Sequence, residues 1–473
     1  MSSQITLPKM WPVSCHTDYI GKNSTFVAIQ GQKQNGIDYV PLALQKGART
    51  IVAEYTADIS PEIIEAIKAA DAQLMFVPNA RRSLALLSAN AWGNPAGKLK
   101  IIAITGTKGK TTTSWLLHHI LESSGHKTAL LSTVKNKIGQ QEFATELTTQ
   151  HPDYLHAFFF TCINAGVKYV IMEVAAQAVS LHRTAGLAFD GIIFTNFAQA
   201  HGEFYSSEQE YYDAKKAIFL QAKPGIPLLI NADDQKISAL VSELNAIGFG
   251  MEAHVGARNV QSTVNGVHAT IEYDQQSFTA QCPSLIGSFN VYNMLAASGM
   301  ALKLDISVEA ITHALSTFKG VPGRLERYDL PNGAVCFIDH AHNPLSFNAV
   351  LPLLRSLTDH LIVVAGAGGD RDNDMRSVLG QLMSEYAHVS ILTTDNPRSE
   401  NPADIIAAMY AGVSADKKNN VICELDREVA IRKAVALSKQ NSIIALLGKG
   451  PEQYQIFGTQ KIPFSEKNII LNL

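Results

Sequence analysis

The sequence predicts an α/β protein of three domains, the central one a parallel sheet built around a phosphate loop. Three observations carry this. Short apolar runs of strand type alternate with helical runs along the chain. The stretch Gly106-Thr107-Lys108-Gly109-Lys110-Thr111 stands between one such strand and a helix. Two polar stretches bearing Pro and Gly, 94–100 and 320–324, read as linkers. They set boundaries at residues 1–98, 99–322 and 323–473.

In the first region "STFVAIQG" reads as a strand, "YVPLALQKGA" as an amphipathic helix stopped by Gly47, and "RTIVAE" as a second strand. The second region opens on the strand "KIIAIT". It continues through helix "TTSWLLHHILESSG", strand "TALLST", helix "DYLHAFFFTCINAG" and strand "KYVIMEVA". Strand "GIIFTNF", helix "SSEQEYYDAKKAIFLQA", strand "IPLLINADD" and a helical "GSFNVYNMLAASGMALKL" follow. Apolar strands alternating with helices indicate a parallel, doubly wound sheet. The third region repeats the pattern with strands "VCFIDHA", "LIVVAGAGG", "HVSILTTD" and "SIIALLG".

Of 473 residues, 46% are hydrophobic and 17% charged, and the formal charge of −3 excludes the basic bias of a nucleic-acid binder. No apolar run reaches the roughly 18 residues of a spanning helix. The opening "MSSQITLPKMWPVSCHTDYIGKN" lacks the layout of a signal peptide. The five cysteines form no C-x-x-C pair and read as reduced thiols of a cytoplasmic protein. No membrane or nucleic-acid partner is expected.

The glycines of the loop let backbone N–H groups approach phosphate oxygens. Lys110 is placed to reach the outer phosphates and Thr111 to offer its hydroxyl to Mg²⁺. Ile104 stands where a full G-x-x-x-x-G-K-[ST] motif has its first glycine. Glu173 ends an apolar strand, where α/β sheets place their sites, and a carboxylate there can hold Mg²⁺; the plainer reading is a solvated strand end. His201 follows another strand end and by itself is read as structural. In the third region the loops 339–344, 366–372, 393–402 and 447–454 all leave the C-terminal ends of strands. Each alone is ordinary turn chemistry, but four on one edge favour a ligand site. Arg398 there can grip a carboxylate and Glu452 an ammonium.

Together these stretches resemble the Mur ligases, the ATP-dependent amide-bond-forming enzymes of peptidoglycan precursor assembly. The likeness runs over nearly the whole chain and is greatest to the members that add the third residue of the peptide. The loop resembles the family's G-T-N-G-K-T, and "ELTTQHP" its substrate-binding threonine pair, Thr148 and Thr149. "EYYDAKKAIF" resembles the segment with a modified lysine, here Lys215. "LIGSFNVYNMLAA", "VPGRLER", "IDHAHNP" and "DNPR" are further near-signature stretches. The last is typical of members that select meso-diaminopimelate over lysine.

The resemblance implies a UDP-sugar-binding N-terminal domain, a central P-loop-type ATPase domain and a Rossmann-like C-terminal domain for the amino acid. It implies ATP and two Mg²⁺ ions, with Lys110, Glu173, His201 and Lys215 as catalytic residues and Thr111, Glu173, His201 and carbamylated Lys215 on the metals. Nucleotide contacts fall on Gly106 to Thr112 (Gly106, Thr107, Lys108, Gly109, Lys110, Thr111, Thr112) with Asn290, Arg324 and Asp339. Substrate contacts fall on Thr17, Thr148, Thr149, Arg183, Arg376, Asp395, Asn396, Arg398, Gly448 and Glu452. The implied substrates are UDP-N-acetylmuramoyl-L-alanyl-D-glutamate and meso-diaminopimelate, the implied state a monomer.

Several positions depart from the family. Lys108 replaces Asn. "EVAAQ" puts Ala175, Ala176 and Gln177 in place of two hydroxyls and an imidazole. "AHGEFY" brings Ala200, Glu203 and Tyr205, "HTD" brings His16, Thr17 and Asp18, and "GKGPE" brings Pro451. The amino-acid side is kept better than the UDP-sugar side. Two alternatives therefore stand beside the main expectation: a paralogue joining the amino acid to another carboxylate, and a non-catalytic binder on the same scaffold.

Overall fold

The computed structural model describes residues 4–31, 34–198 and 204–473. The chain divides into two compact units. The first comprises residues 1–259, 269–280 and 291–316, the second residues 260–268, 281–290 and 317–473.

The first unit holds a small sheet in the order β1 (Val13–Ser14), β2 (Thr25–Val27), β3 (Thr50–Glu54) and β4 (Gln73–Val77), all parallel. β4 is missing from the sequence reading because its faces do not alternate: Gln73, Met75 and Phe76 are all exposed at the sheet edge. The one helix expected here is realised in shorter form, and two more accompany it. Val40–Gln45 is a single short helix, while Pro61–Ala69 and Ala80–Ala91 are additional, capped by Ser60 and Asn79.

The larger sheet has eleven strands. They are β5 (Lys100–Thr105), β6 (Thr128–Leu131), β7 (Asn136–Ile138), β8 (Gln141–Phe143), β9 (Tyr169–Glu173), β10 (Gly191–Phe194), β11 (Leu228–Asn231), β12 (Ile247–Phe249), β13 (Val255–Thr263), β14 (Gly266–Tyr273) and β15 (Gln276–Cys282). Their order is β15-β14-β13-β12-β11-β10-β5-β9-β6-β7-β8. β5 pairs in parallel with β9 on one side and β10 on the other. The chain thus passes from one side of β5 to the other between β9 and β10, and the C-terminal end of β5 is a topological switch point. Ile101 to Ile104 are completely buried, as a strand covered on both faces requires. The sheet is not wholly parallel, since β7 runs antiparallel to both β6 and β8.

The second unit carries a six-stranded sheet: β16 (Glu326–Asp329), β17 (Val335–Asp339), β18 (Leu361–Ala365), β19 (Val389–Thr393), β20 (Val421–Glu424) and β21 (Ile443–Leu447), in the order β16-β17-β21-β18-β19-β20. β17, β21, β18 and β19 are mutually parallel. The four polar loops therefore do leave one edge of one sheet, as the sequence indicates. A two-stranded ribbon, β22 (Tyr454–Phe457) with β23 (Gln460–Pro463), and helix Glu466–Leu471 complete the unit. Among the described residues no helix is long and apolar enough to cross a membrane. All five cysteines are free thiols.

Candidate functional site

The phosphate loop leaves β5 at the switch point and enters helix Lys110–Ser123, whose N-cap is Gly109. Both glycines are positional. Gly106 has φ +142° and Gly109 φ +81°. A Cβ on Gly106 would lie 1.9 Å from Thr195 Oγ1, and one on Gly109 2.5 Å from Asn293 Oδ1. A side chain at either position would be strained by its φ and crowded by these neighbours. Lys110 Nζ donates to Gly106 O at 2.8 Å and Thr107 O at 3.1 Å. Lys108 is exposed, and its backbone is fixed by the residues just after β10: its N–H donates to Asn196 Oδ1 at 2.8 Å, and its carbonyl accepts from Thr195 Oγ1 at 2.6 Å. Thr112 follows in the first helical turn, half-buried.

Thr111 and Glu173 meet. Thr111 Oγ1 donates to Glu173 Oε2 at 3.0 Å, and Glu173 is completely buried. Thr133 holds the same carboxylate through its N–H to Oε1 at 3.0 Å and its hydroxyl to Oε2 at 3.1 Å. Thr133 also donates to Thr148 Oγ1 at 3.1 Å. Thr149 lies against the strand end, donating to Glu173 O and accepting from Ala175 N, each at 3.0 Å. Arg183 Nη1 donates to Thr149 O at 2.9 Å. Thr111, Glu173, Thr148, Thr149 and Arg183, spread over 73 positions of the chain (183 − 111 + 1), thus form one continuous polar chain.

Lys215 is 2% exposed, and its Nζ also donates to Gly106 O at 2.8 Å. It lies 4.7 Å from the centre of the Tyr211 ring. Burial, then the neighbouring Lys110 charge, hold its ammonium well below the usual lysine range. Lys216 points elsewhere and pairs with Glu243 at 2.6 Å. His201, Ala200 and Glu203 lie outside the described residues. Thr17 is buried, and its carbonyl accepts from Lys46 Nζ at 3.0 Å.

In the second unit Asp339 is buried, with Leu325 N and Ala341 N donating to its carboxylate, each at 2.8 Å. Burial raises its pKa against the opposing pull of Arg324. Asn290 also falls in this unit, its amide donating to Ile286 O at 2.7 Å. Arg398 has φ +50°, and its Nη1 donates to Gly369 O at 2.5 Å. Asn396 Nδ2 donates to Glu452 Oε2 at 2.9 Å. The Arg376 fork grips both oxygens of Glu400 at 2.8 Å each, so Arg376 meets an internal carboxylate. Gly448 packs against Asp395: a Cβ there would lie 2.7 Å from its Oδ2.

Sequence reasoning missed five participants. Thr133 and Thr195–Asn196 follow the strands flanking β9 and β5, and that strand-end position is the signal that could have found them. Asn293 reaches the loop from the helix Phe289–Lys303, accepting from Thr113 Oγ1 at 3.1 Å. Lys449, 0% exposed, donates to Asp395 Oδ1 at 3.2 Å, Asn396 Oδ1 at 3.1 Å and Glu452 Oε2 at 3.0 Å. A lysine inside "GKGP" looks like a turn residue, so its burial has no local signal.

A phosphate loop at the switch point of a parallel sheet, with a hydroxyl and a buried carboxylate beside it, defines a nucleotide-dependent enzyme. Comparison with known families carries this further. Residues 104–301 match the Mur ligase middle domain, and residues 323–450 match the Mur ligase glutamate ligase domain. The UDP-N-acetylmuramoyl-L-alanyl-D-glutamate–2,6-diaminopimelate ligase of Caldanaerobacter subterraneus subsp. tengcongensis is 36% identical over 94% of this chain and 90% of its own. The protein of the same name from Geobacillus kaustophilus is 34% identical over 95% and 92%. A solved structure of a ligase of that name superposes with a TM-score of 0.68 at 23% identity, covering 98% of this chain and 94% of its own. The MurF ligase of Thermotoga maritima in complex with ADP gives 0.65 at 18% identity, over 93% and 94%. The two structural likenesses speak for the fold. This chain belongs to the Mur ligase family and is a ligase.

Proposed function

We propose that this ligase joins meso-diaminopimelate to the D-Glu carboxylate of UDP-N-acetylmuramoyl-L-alanyl-D-glutamate at the expense of ATP. It does so as a cytoplasmic monomer, with residues 1–98 binding the UDP-sugar, 99–322 the ATP and 323–473 the amino acid. The observation that carries this is the polar rim of the second unit. There Arg398 and Glu452 offer a cation and a carboxylate, matching the carboxylate and ammonium at the distal end of diaminopimelate. Lysine lacks that carboxylate and would leave the arginine unpaired, a penalty of about 1–3 kcal/mol. Two relatives of 34–36% identity that bear the diaminopimelate name support the same reading.

A carboxylate resists attack by an amine because its leaving group would be oxide or hydroxide. Transfer of the ATP γ-phosphoryl group to the carboxylate oxygen gives an acyl phosphate. The amine then forms the C–N bond, phosphate leaves with the C–O bonding electrons, and the amine proton passes to solvent. Negative charge gathers at the transferred group, so fixed cations are the main demand. Lys110 supplies one at the loop, and the loop's two glycines leave the space a phosphate needs. Thr111 and Glu173 form an all-oxygen donor pair that suits Mg²⁺, with Lys215 and His201 assigned to a second ion. When bound, Mg²⁺ neutralises phosphate oxygens. Lys215 is suited to carbamylation because its depressed pKa favours the neutral amine, the form that adds CO₂. The new N–C bond yields a carbamate anion, and the proton goes to water.

Ala175, Ala176 and Gln177, where the family has two hydroxyls and an imidazole, favour a second reading, a different carboxylate acceptor. Phosphate release measured with a panel of UDP-muramoyl peptides, each with diaminopimelate or lysine, separates the two. Turnover requiring the dipeptide nucleotide and diaminopimelate supports the first. Turnover with diaminopimelate but never with that nucleotide supports the second. No turnover with any pair leaves a binder.

A further inference from the structure

The buried charges of the second unit run as one chain from its last helix to the polar rim. Glu466 begins the helix Glu466–Leu471, and Arg427 begins the helix Arg427–Leu437. Their side chains are 1% and 0% exposed. Glu466 Oε1 accepts from Arg427 Nε at 2.9 Å and Nη2 at 2.8 Å. The same guanidinium donates to two backbone carbonyls, Leu447 O at 2.8 Å and Thr394 O at 3.4 Å. Thr394 directly precedes Asp395-Asn396, and Leu447 directly precedes Gly448-Lys449. Lys449 closes the chain by bonding Asp395, Asn396 and Glu452 together.

The topology explains what this brace adds. The two loops follow β19 and β21, which are not neighbours, because β18 lies between them. No ladder hydrogen bond sets one loop against the other. A planar guanidinium can, since its donors hold a fixed spacing. Burying that cation is costly unless a carboxylate stands beside it, and Glu466 is that carboxylate. A charge pair of this kind adds little net stability compared with apolar residues of the same size, so its use lies in geometry.

We propose that Arg427 and Glu466 are positioning residues of the amino-acid pocket: by holding Thr394 O and Leu447 O they set the distance between Arg398 and Glu452. This rests on the role given to the rim in the proposed function. The C-terminal helix thereby takes part in choosing the amino acid through this brace.

The test measures initial rates for the unaltered enzyme, Glu466→Gln, Glu466→Asp and the double variant Arg427→Met/Glu466→Leu. ATP, the UDP-muramoyl dipeptide and diaminopimelate are varied in turn, with thermal midpoints alongside. Glu466→Gln and the double variant raise KM for diaminopimelate about tenfold, while KM for ATP stays within about twofold. Glu466→Asp, which keeps the charge, falls between Gln and the unaltered enzyme. The double variant regains thermal stability lost in Glu466→Gln but keeps the raised KM, which separates positioning from folding and stands in if Glu466→Gln does not fold. A double variant with unaltered KM for diaminopimelate, or KM values that rise together for all three substrates, overturns the proposal. No turnover of diaminopimelate by the unaltered enzyme overturns the functional reading, and this proposal with it.

Discussion

Three lysines near one loop have three different fates. Lys110 lies inside the loop, bonded to Gly106 O and Thr107 O, where outer phosphates would exchange with those carbonyls. Lys108 is exposed, and its backbone is held by Thr195 and Asn196. Lys110→Ala is therefore expected to abolish substrate-dependent phosphate release, and Lys108→Asn to keep it within about tenfold. Equal damage from the two would show that the Lys108 side chain serves the phosphates. Lys215 bears a stability cost. Its folded pKa lies below its unfolded value, so the unfolded chain binds the extra proton. The penalty is absent above the ordinary lysine value, grows as pH falls from there, and levels off below the depressed folded value. In bicarbonate-free buffer, Lys215→Met should raise the thermal midpoint at neutral pH and flatten its rise toward pH ~10. A midpoint lowered by the substitution would mean that the bond to Gly106 O outweighs burial.

Among the elements, the strand–loop–helix unit of 100–123 was the most legible. Its apolar strand, glycines and helix agree at every level. Gly109→Ala is the sharp local test. It places a Cβ 2.5 Å from Asn293 Oδ1 at a φ of +81°. A loss of about 1–3 kcal/mol in denaturant unfolding, with loss of nucleotide binding, is expected. Other elements were hidden for physical reasons. β4 is an exposed edge strand without alternation, and β7 and β8 are only three residues each. The helix Arg427–Leu437 begins on a fully buried arginine, which no amphipathic pattern predicts.

On the scale of the whole first unit, one buried carboxylate ties the small sheet to the large one. Asp153, 1% exposed, sits in the first turn of the helix Pro152–Asn164. Ser14 Oγ donates to it at 2.7 Å and Cys15 N at 3.1 Å, both from the end of β1. Asp153→Ala strands these two donors and is expected to cost about 1–3 kcal/mol of stability. Limited proteolysis should then cut sooner between residues 4 and 98. Unchanged proteolysis and unfolding would show that apolar packing alone joins the two sheets.

The sequence by itself determined the α/β class, the phosphate loop, the four loops on one sheet edge and the family resemblance. Each of these is written in residues close together, where strand period, glycine geometry and short motifs act locally. Tertiary structure alone decided which partners complete the site. Thr133 reaches Glu173 across 40 positions, Lys215 reaches Gly106 across 109, and Glu466 reaches Arg427 across 39. Only folding brings such groups within hydrogen-bond range, and only burial gives them their energies. A lysine or glutamate in an exposed turn and one sealed under a sheet edge are the same letter in the chain. Solvent, supplied or withheld by the fold, makes them different chemistry.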